Sequence, residues 1–286
     1  MIARWILFAL VAVAANGVAS YAAYRRRSLN GTGAIAAATV GSLIMVAGGL
    51  LYWMMLILFF VSSSLASRVG RARKERLERM HEKGSRRDHV QVIANGGVGA
   101  LLVLLLQLTG NAAFGVAAAA AFASVNADTW ASEFGVLSAH QPRSITNWRP
   151  LEPGTSGGVS LLGTGAALAG GLAIAAWYAI AHLTPSLLSL FVPTPDPTEP
   201  GPGSGTLFLI VLAAGFIGTT VDSLLGATVQ AQYRDRDGSI TERRTTGGRP
   251  NERVRGLPFF TNDVVNLVSA AVASAAALVV SLSMGA

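Results

Sequence analysis

Long apolar runs, separated by short polar and glycine-rich stretches, follow one another along almost the whole chain. Several of these runs reach the roughly 17–25 residues that a helix needs to cross the hydrocarbon core of a bilayer. They predict eight membrane-spanning helices, at about residues 2–24, 31–48, 50–66, 90–108, 112–137, 158–182, 206–230 and 262–284. We therefore expect an all-α fold, a polytopic transmembrane helix bundle that forms one integral-membrane domain over residues 1–286.

The composition supports a membrane protein. Hydrophobic residues make up 51% of the chain and charged residues only 13%, whereas a soluble domain carries about 25% charged residues. The chain has no cysteine, so disulfides and thiolate metal sites are excluded. The net charge of +7 would suit a nucleic-acid partner, but the basic residues lie in loops beside the spans, where they set topology. We expect a lipid bilayer as partner and no nucleic acid.

The basic residues also predict the orientation of the bundle. They concentrate after the first span and in the loops 67–89, 138–157 and 231–261, whereas the loops 109–111 and 193–205 contain no Lys or Arg. Loops rich in Lys and Arg face the cytoplasm. The three basic loops should therefore be cytoplasmic, and both termini should lie outside. The first apolar run is interpreted as a retained span rather than a cleaved signal.

A weak internal repeat accompanies this topology. The second and sixth predicted spans both begin with a glycine-rich turn, and the fourth and eighth both open with an asparagine, Asn95 and Asn262. An offset of four spans preserves orientation, so the two halves would be parallel repeats of four spans each.

Carboxylates inside the apolar runs are the strongest indication of function. Asp128 and Glu133 continue the run that begins at Phe114, and Asp222 lies in the seventh span. An ionisable side chain at membrane depth costs at least ~2.5–3.5 kcal/mol and is a functional candidate by default. At 1.5 Å per residue, these acids lie ~8–15 Å from the inner ends of their helices. The cytoplasmic half should therefore hold a shared polar site, to which Asn95, Asn262 and Asp263 would contribute from neighbouring helices.

Helical geometry places the two acids of the fifth span on different faces of their helix. Asp128 and Glu133 are five residues apart, which is ~140° around an ideal helix. They either serve different partners, or the helix is irregular between them. On the seventh span, Gly218, Asp222 and Gly226 recur every four residues, so one face offers a carboxylate flanked by glycines.

A glycine-rich turn follows the fifth span. After Arg143 and Arg149, it runs through Gly154, Thr155, Ser156, Gly157 and Gly158 into the next apolar run. Backbone N–H groups at a helix N-terminus bind anions, and flanking arginines strengthen phosphate binding. The same pattern is also typical of an ordinary turn, and it is not a Walker A motif, since no Gly-Lys-Ser/Thr follows. Together with the acids, it suggests Mg²⁺ bridged to phosphate oxygens.

Several of these segments resemble one known family. They are Asn95-Gly96-Gly97, Asn126-Ala127-Asp128-Thr129-Trp130-Ala131-Ser132-Glu133, Pro142-Arg143, Pro153 to Ser160, Asp222 to Ala227 and Asn262 to Asn266. They are similar to the integral-membrane family of domain of unknown function 92, which includes the phytyl-phosphate kinase of plants. The resemblance implies a kinase that uses a nucleoside triphosphate, CTP, and Mg²⁺ to convert an isoprenyl monophosphate into its diphosphate.

The resemblance also implies roles for the residues. Asp128, Glu133 and Asp222 would be catalytic and hold the metal. Phosphate or nucleotide binding would fall to Asn95, Arg143, Arg149, Gly154, Thr155, Ser156, Gly157, Gly158, Ser223, Gly226, Asn262, Asp263 and Asn266. The expected location is a prokaryotic plasma membrane, with the site facing the cytoplasm.

Two other functions stay open at this point. A lipid-phosphate transporter or flippase would suit parallel repeats and membrane acids, but it predicts polar residues continuing to the outer face. A CTP-dependent cytidylyl transferase would use the same metal site and release pyrophosphate. The sequence leaves the prenyl chain length and the oligomeric state open.

Overall fold

The computed structural model describes residues 2–71, 74, 86–183 and 202–285, and within them the protein is a bundle of seven helices. They are α1 (Ile2–Arg25), α2 (Gly31–Ala66), α3 (His89–Thr109), α4 (Ala112–Gly135), α5 (Leu161–Leu183), α6 (Ser204–Thr228) and α7 (Asn262–Ser283). All but α4 are long and apolar enough to cross a membrane, which gives six candidate spans among the described residues. The predicted helical bundle is confirmed, but eight spans and an internal repeat are not. Most of the predicted loop 67–89 and of the connector 193–205 lies outside the described residues.

Helix α2 reverses direction at Gly49, where φ is 69° and ψ is −166°. As a straight helix, its 36 residues would extend about 54 Å. Instead, Asn30 donates its backbone N–H to the Arg87 carbonyl, and the Arg87 guanidinium lies 5.5 Å from the centre of the Phe60 ring. The two ends of α2 are therefore neighbours, and its halves fold back on each other. The reversal falls where the sequence predicts a boundary between the spans 31–48 and 50–66.

Helix α4 is the central element of the bundle. It contacts α2, α3, α5, α6 and α7, and its segment from Ala117 to Val125 is buried throughout. The side chains of this segment are mostly alanine, and small residues let helix backbones approach closely. At Gly215 of α6, for example, a Cβ would lie only 2.8 Å from Ala123 Cβ. The helix that carries Asp128 is thus surrounded by protein rather than by lipid.

The described residues also form seven short strands. They are β1 (Arg143–Ser144), β2 (Gly158–Val159), β3 (Gln232–Arg234), β4 (Ile240–Thr241), β5 (Thr245–Thr246), β6 (Arg249–Pro250) and β7 (Glu252–Arg255). All but β2 lie in the predicted loops 138–157 and 231–261, and β2 lies at the start of the predicted span 158–182. They form three antiparallel sheets, β1–β2, β4–β3–β7 and β5–β6. The all-α prediction omits them, because segments of two to four residues are too short to show the alternation that identifies a strand. The sheets shape the loops next to the inner ends of α5, α6 and α7.

The reversal at Gly49 yields a first prediction. Its φ and ψ lie in a region that is essentially restricted to glycine, so Gly49→Ala should lower the free energy of unfolding by about 1–3 kcal/mol. Thermal unfolding of the detergent-solubilised protein measures this loss. The matched control is Gly17→Ala on α1, where a Cβ would meet no atom within 4 Å. Equal stability of Gly49→Ala and the wild type would contradict the reversal.

Candidate functional site

The core of the site is a pair of carboxylates from two helices. The Asp128 side chain of α4 lies close to the carboxylate of Asp222 of α6 and to the Thr219 hydroxyl. Ser269 of α7 donates to Asp222 Oδ2 at 3.1 Å. Three helices therefore contribute to one polar cluster inside the apolar bundle. Two carboxylates in contact repel each other when both are ionised, so this arrangement calls for a bound cation or a proton.

The glycines of α6 explain how the two acids meet. A Cβ at Gly218 would overlap the Ser124 hydroxyl of α4, and one at Gly226 would lie 3.0 Å from the backbone nitrogen of Gly157. Gly218 and Gly226 lie one turn before and one turn after Asp222. The stripe that the sequence predicts on α6 therefore faces α4 at one end and the glycine-rich turn at the other.

A cavity of about 410 Å³ opens beside the carboxylate pair. Ligand sites in proteins commonly have volumes of about 300–1,000 Å³. Its lining combines apolar and polar groups of α4, α5 and α6 with polar groups of the glycine-rich turn. Of the residues that the sequence singles out, those that line it are Asp128, Asp222, Ser223, Asn262, Gly154, Thr155, Ser156, Gly157 and Gly158. The acids and the glycine-rich turn, which are distant in sequence, thus line the same cavity.

The glycine-rich turn is held tightly against α6. Gly157 has a φ of +82°, and a Cβ there would lie 2.5 Å from the Cα of Ala227. The turn is fixed on its other side by the β1–β2 pairing and by the Ile145 N–H, which donates to the Gly157 carbonyl at 3.0 Å. Only glycine combines this backbone conformation with such a close approach.

The turn differs in one respect from the sequence prediction. It does not run directly into a helix, because β2 intervenes and α5 begins at Leu161. Ser160 caps that helix, and its Oγ accepts the N–H of Gly163 at 3.1 Å. One of the N–H groups expected to bind an anion is therefore already satisfied. Ser160 itself lines the cavity.

Glu133 does not join the carboxylate pair. Its carboxylate accepts a short hydrogen bond from Ser67 and forms a salt bridge of 2.6 Å with Lys74. Lys74 also donates to the Ala66 carbonyl at 2.7 Å, so the pair fixes the end of α2. The calculated separation of Asp128 and Glu133 around α4 is confirmed, since each has different partners. A metal-binding role for Glu133 stays a prediction, without support from its surroundings.

The two predicted phosphate-binding arginines lie on the surface. Arg143 and Arg149 are exposed, and Arg143 donates to the Trp148 carbonyl at 3.0 Å. Neither lines the cavity. Arg255, which the sequence analysis does not select, donates to the Gly226 carbonyl at 3.0 Å, next to the glycine-rich turn. Burial lowers the pKa of Arg255.

Three asparagines connect α3 and α7 at the back of the site. In one orientation of its amide, Asn266 donates to Asn95 Oδ1 at 3.3 Å. In the other, it donates to Asp222 Oδ2 at 3.0 Å and to the Asn262 carbonyl at 3.3 Å. Asn95 does not line the large cavity. It is connected through Asn266 with Asp222, which does line it. Asp263 is buried at the start of α7 and does not line the cavity either.

Two cavity residues were missed by the sequence analysis as binding groups. Gln230 Nε2 and Ser156 Oγ both donate to Glu242 Oε1 at 2.7 Å. Glu242 is near enough to Asp222 for their charges to interact. Gln230 continues the four-residue spacing of Gly218, Asp222 and Gly226, which is a signal in the sequence. No pattern in the sequence marks Glu242, because it lies in a loop and only the fold brings it to the cavity.

Comparison with known proteins gives one family. The family model described as integral membrane protein DUF92 matches residues 14–274. Protein PGR of Arabidopsis thaliana is 31% identical over 280 residues, which cover 91% of this chain and 91% of that protein. An uncharacterized membrane protein of Methanocaldococcus jannaschii is 30% identical over 203 residues, covering 71% of this chain and 75% of that protein. No solved structure matches the chain.

The close approach at Gly157 yields a second prediction, with Gly238→Ala as its matched control. Gly238 has nearly the same φ, +80°, but a Cβ there would meet no atom within 4 Å. Gly238→Ala should lose only the about 1–2 kcal/mol that a left-handed residue costs. Gly157→Ala should lose a further about 1–3 kcal/mol through overpacking against α6. Thermal unfolding measures both losses. Faster amide hydrogen exchange of residues 154–160 in Gly157→Ala alone would locate the effect, and equal losses would contradict the packing.

Proposed function

Because this chain belongs to the integral membrane family DUF92, we propose that it is a membrane-embedded isoprenyl-monophosphate kinase. It transfers the terminal phosphoryl group of a nucleoside triphosphate, CTP, to phytyl, geranylgeranyl or polyprenyl phosphate. The products are CDP and the isoprenyl diphosphate. The main observation behind this proposal is that Asp128 and Asp222 meet in one cavity. The glycine-rich turn lines the same cavity.

The carboxylate pair fits a magnesium ion that the substrate helps to bind. The described residues hold no group of three or more His, Asp or Glu side chains able to bind a metal by themselves. Magnesium is commonly held by one or two carboxylates, with waters and substrate phosphates completing its shell. Asp128 and Asp222 would supply the carboxylates. When bound, the ion would neutralise the charge that develops on the phosphate oxygens.

The loop side of the cavity provides groups suited to phosphate. The turn contributes the Thr155 hydroxyl and the backbone N–H groups of Ser156 and Gly157, whereas the Ser156 hydroxyl already donates to Glu242. The Thr219 and Ser223 hydroxyls of α6 also line the cavity. Phosphoryl transfer requires alignment and electrostatic stabilisation more than covalent help from the protein. The acceptor, an isoprenyl phosphate, is already an anion, so no general base has to remove a proton from it.

The position of the cavity suits a substrate that is half lipid. Phe216, Ala131 and Ala167 line its apolar part, whereas its polar part lies among the cytoplasmic loops. The basic residues of the loops 138–157 and 231–261 favour a cytoplasmic position for this polar part. We assign the protein to a prokaryotic plasma membrane, with both termini outside and the site open to cytoplasmic nucleotide.

Loss of either carboxylate should abolish phosphoryl transfer. In purified protein with CTP, Mg²⁺ and geranylgeranyl phosphate, Asp128→Asn and Asp222→Asn should each lower the rate of CDP formation about 100-fold or more, because several kcal/mol of metal-mediated stabilisation are lost. Asp237→Asn, in an exposed loop, is the matched control and should keep full activity. Full activity of Asp222→Asn would contradict the metal assignment.

The same assay separates the other two functions. Formation of a CDP-linked lipid and pyrophosphate, with no free CDP, would identify a cytidylyl transferase at the same site. Movement of lipid phosphate across proteoliposome membranes without any nucleotide, together with no transfer product, would identify a transporter. Either result would contradict the kinase proposal and support the other function.

A further inference from the structure

A second cavity lies outside the site described above, and none of its lining residues lines the larger cavity. It is a narrow groove of about 70 Å³ between α1, both halves of α2 and α3. Its walls include Ala19, Ala23, Leu56 and Phe60, and its polar end is formed by Arg87 and Asn95. We refer to it as the α1–α3 groove. None of the functional assignments above uses it, apart from Asn95.

Arg87 is held rigidly at the cytoplasmic end of this groove. Its backbone N–H donates to the Ser28 carbonyl at 3.1 Å, and its carbonyl accepts the Asn30 N–H at 3.0 Å. Its guanidinium carbon lies 5.9 Å from the centre of the Phe59 ring and 5.5 Å from that of Phe60. Backbone and side chain are thus both fixed, and the positive charge is directed at the groove.

The charge of Arg87 is incompletely satisfied. Its Nη1 is buried and has no hydrogen-bond partner among the described residues. Burial lowers the pKa of Arg87, and the charge of Glu133 opposes that effect. The Glu133 carboxylate, however, is already bound by Ser67 and Lys74. An arginine stays protonated in proteins, and a buried charge without a partner is unfavourable. The groove therefore has a place for an anion at Arg87.

The apolar part of the groove determines the kind of anion. From Ala23 to Asn16, both of which line it, α1 rises about 10 Å from its cytoplasmic end into the membrane. Among the other polar residues of its wall, Asn16 is already satisfied, because its Oδ1 accepts the indole N–H of Trp53 at 2.9 Å and its Nδ2 donates to the Ala12 carbonyl at 2.8 Å. Ser20 and Gln91 complete the polar lining. The groove thus combines one cationic end with a slender apolar channel that suits a single hydrocarbon chain better than two.

The groove also adjoins the carboxylate pair. Asn95 lines the groove, and its Oδ1 lies 3.3 Å from Asn266 Nδ2, while Asn266 reaches Asp222 in its other amide orientation. Only the two amide side chains connect the polar end of the groove with Asp222. An anion at Arg87 would therefore lie close to the wall of the nucleotide cavity.

We propose that the α1–α3 groove binds the isoprenyl monophosphate, with its phosphate on Arg87 and the first part of its chain between α1 and α2. This assignment rests on the proposed kinase function for the identity of the lipid. It makes Arg87 and Asn95 the residues that bind the lipid phosphate before transfer, and for the transfer itself the phosphate moves next to the nucleotide in the larger cavity.

Photo-crosslinking of the full chain in phosphatidylcholine nanodiscs tests the groove. The probe is geranylgeranyl monophosphate with a diazirine on its first isoprene unit, and the labelled residues are identified by mass spectrometry. Labels should map to residues 16–23 of α1 or 56–60 of α2. Arg87→Gln should reduce labelling at least about tenfold through loss of a charge-assisted contact, whereas Arg86→Gln, an exposed neighbour, should not. Labels confined to other helices would overturn the proposal.

A second pair of variants tests the apolar channel without changing charge. Ala19→Phe should fill the channel and reduce labelling, whereas Val18→Phe, at a position that is 71% exposed and outside the groove, should leave it unchanged. This pair decides the outcome if Arg87→Gln fails to fold. Unlabelled dipalmitoyl phosphatidic acid should compete poorly with the probe. Competition as strong as that of geranylgeranyl phosphate would identify the occupant as a membrane phospholipid and overturn the assignment.

Failure of the groove and failure of the kinase give different results. If CDP forms normally but Arg87→Gln leaves both labelling and the KM for geranylgeranyl phosphate unchanged, the groove assignment is wrong and the kinase remains. If no phosphoryl transfer occurs but labelling still requires Arg87, the groove is supported as a lipid-phosphate site and the kinase is wrong. If both proposals hold, Arg87→Gln raises the KM for the lipid at least about tenfold and leaves the KM for CTP unchanged.

Discussion

The contact between Asp128 and Asp222 imposes the most demanding physical requirement on this fold. Two carboxylates that meet inside an apolar bundle are stable only with donors, a cation or a proton around them. The fold supplies donors from separate helices, the Thr219 hydroxyl beside Asp128 and the Ser269 hydroxyl beside Asp222. It also places a cavity next to the pair, where a cation and phosphates can enter. Placing two carboxylates side by side lowers the stability of the fold. A binding site is a physical reason for keeping them together.

Small side chains make that contact possible. Helix α4 is alanine-rich and is enclosed by five other helices, so its backbone approaches theirs closely. Gly218 lets α6 reach α4 at Ser124, and Gly157 lets the glycine-rich turn reach α6 at Ala227. These close approaches fix the carboxylates and the turn relative to each other. The site therefore depends on backbone packing as much as on its polar residues.

The polar residues of the bundle are divided between the two cavities. Asp128, Asp222 and the glycine-rich turn face the larger cavity, whereas Arg87 faces the narrow groove between α1 and α3. Asn95 and Asn266 lie between them. Glu133, the third predicted acid, is paired with Lys74 and stabilises the end of α2 instead. Acids suited to a cation and an arginine suited to an anion are thus held on separate sides of one wall.

Features that are local along the chain could be predicted from the order of its residues. The bilayer sets the length of an apolar helix, so most helix positions follow from composition, and even the reversal at Gly49 falls at a predicted boundary. Helical spacing likewise gave the stripe of Gly218, Asp222 and Gly226 and the divergence of Asp128 from Glu133. Only the tertiary structure decided which distant residues meet. Glu242 bonds Ser156 across 86 positions, Arg255 reaches Gly226, Arg87 faces a groove, and strands of two to four residues form in the loops. Their partners are set by packing between helices, and no local pattern records that packing.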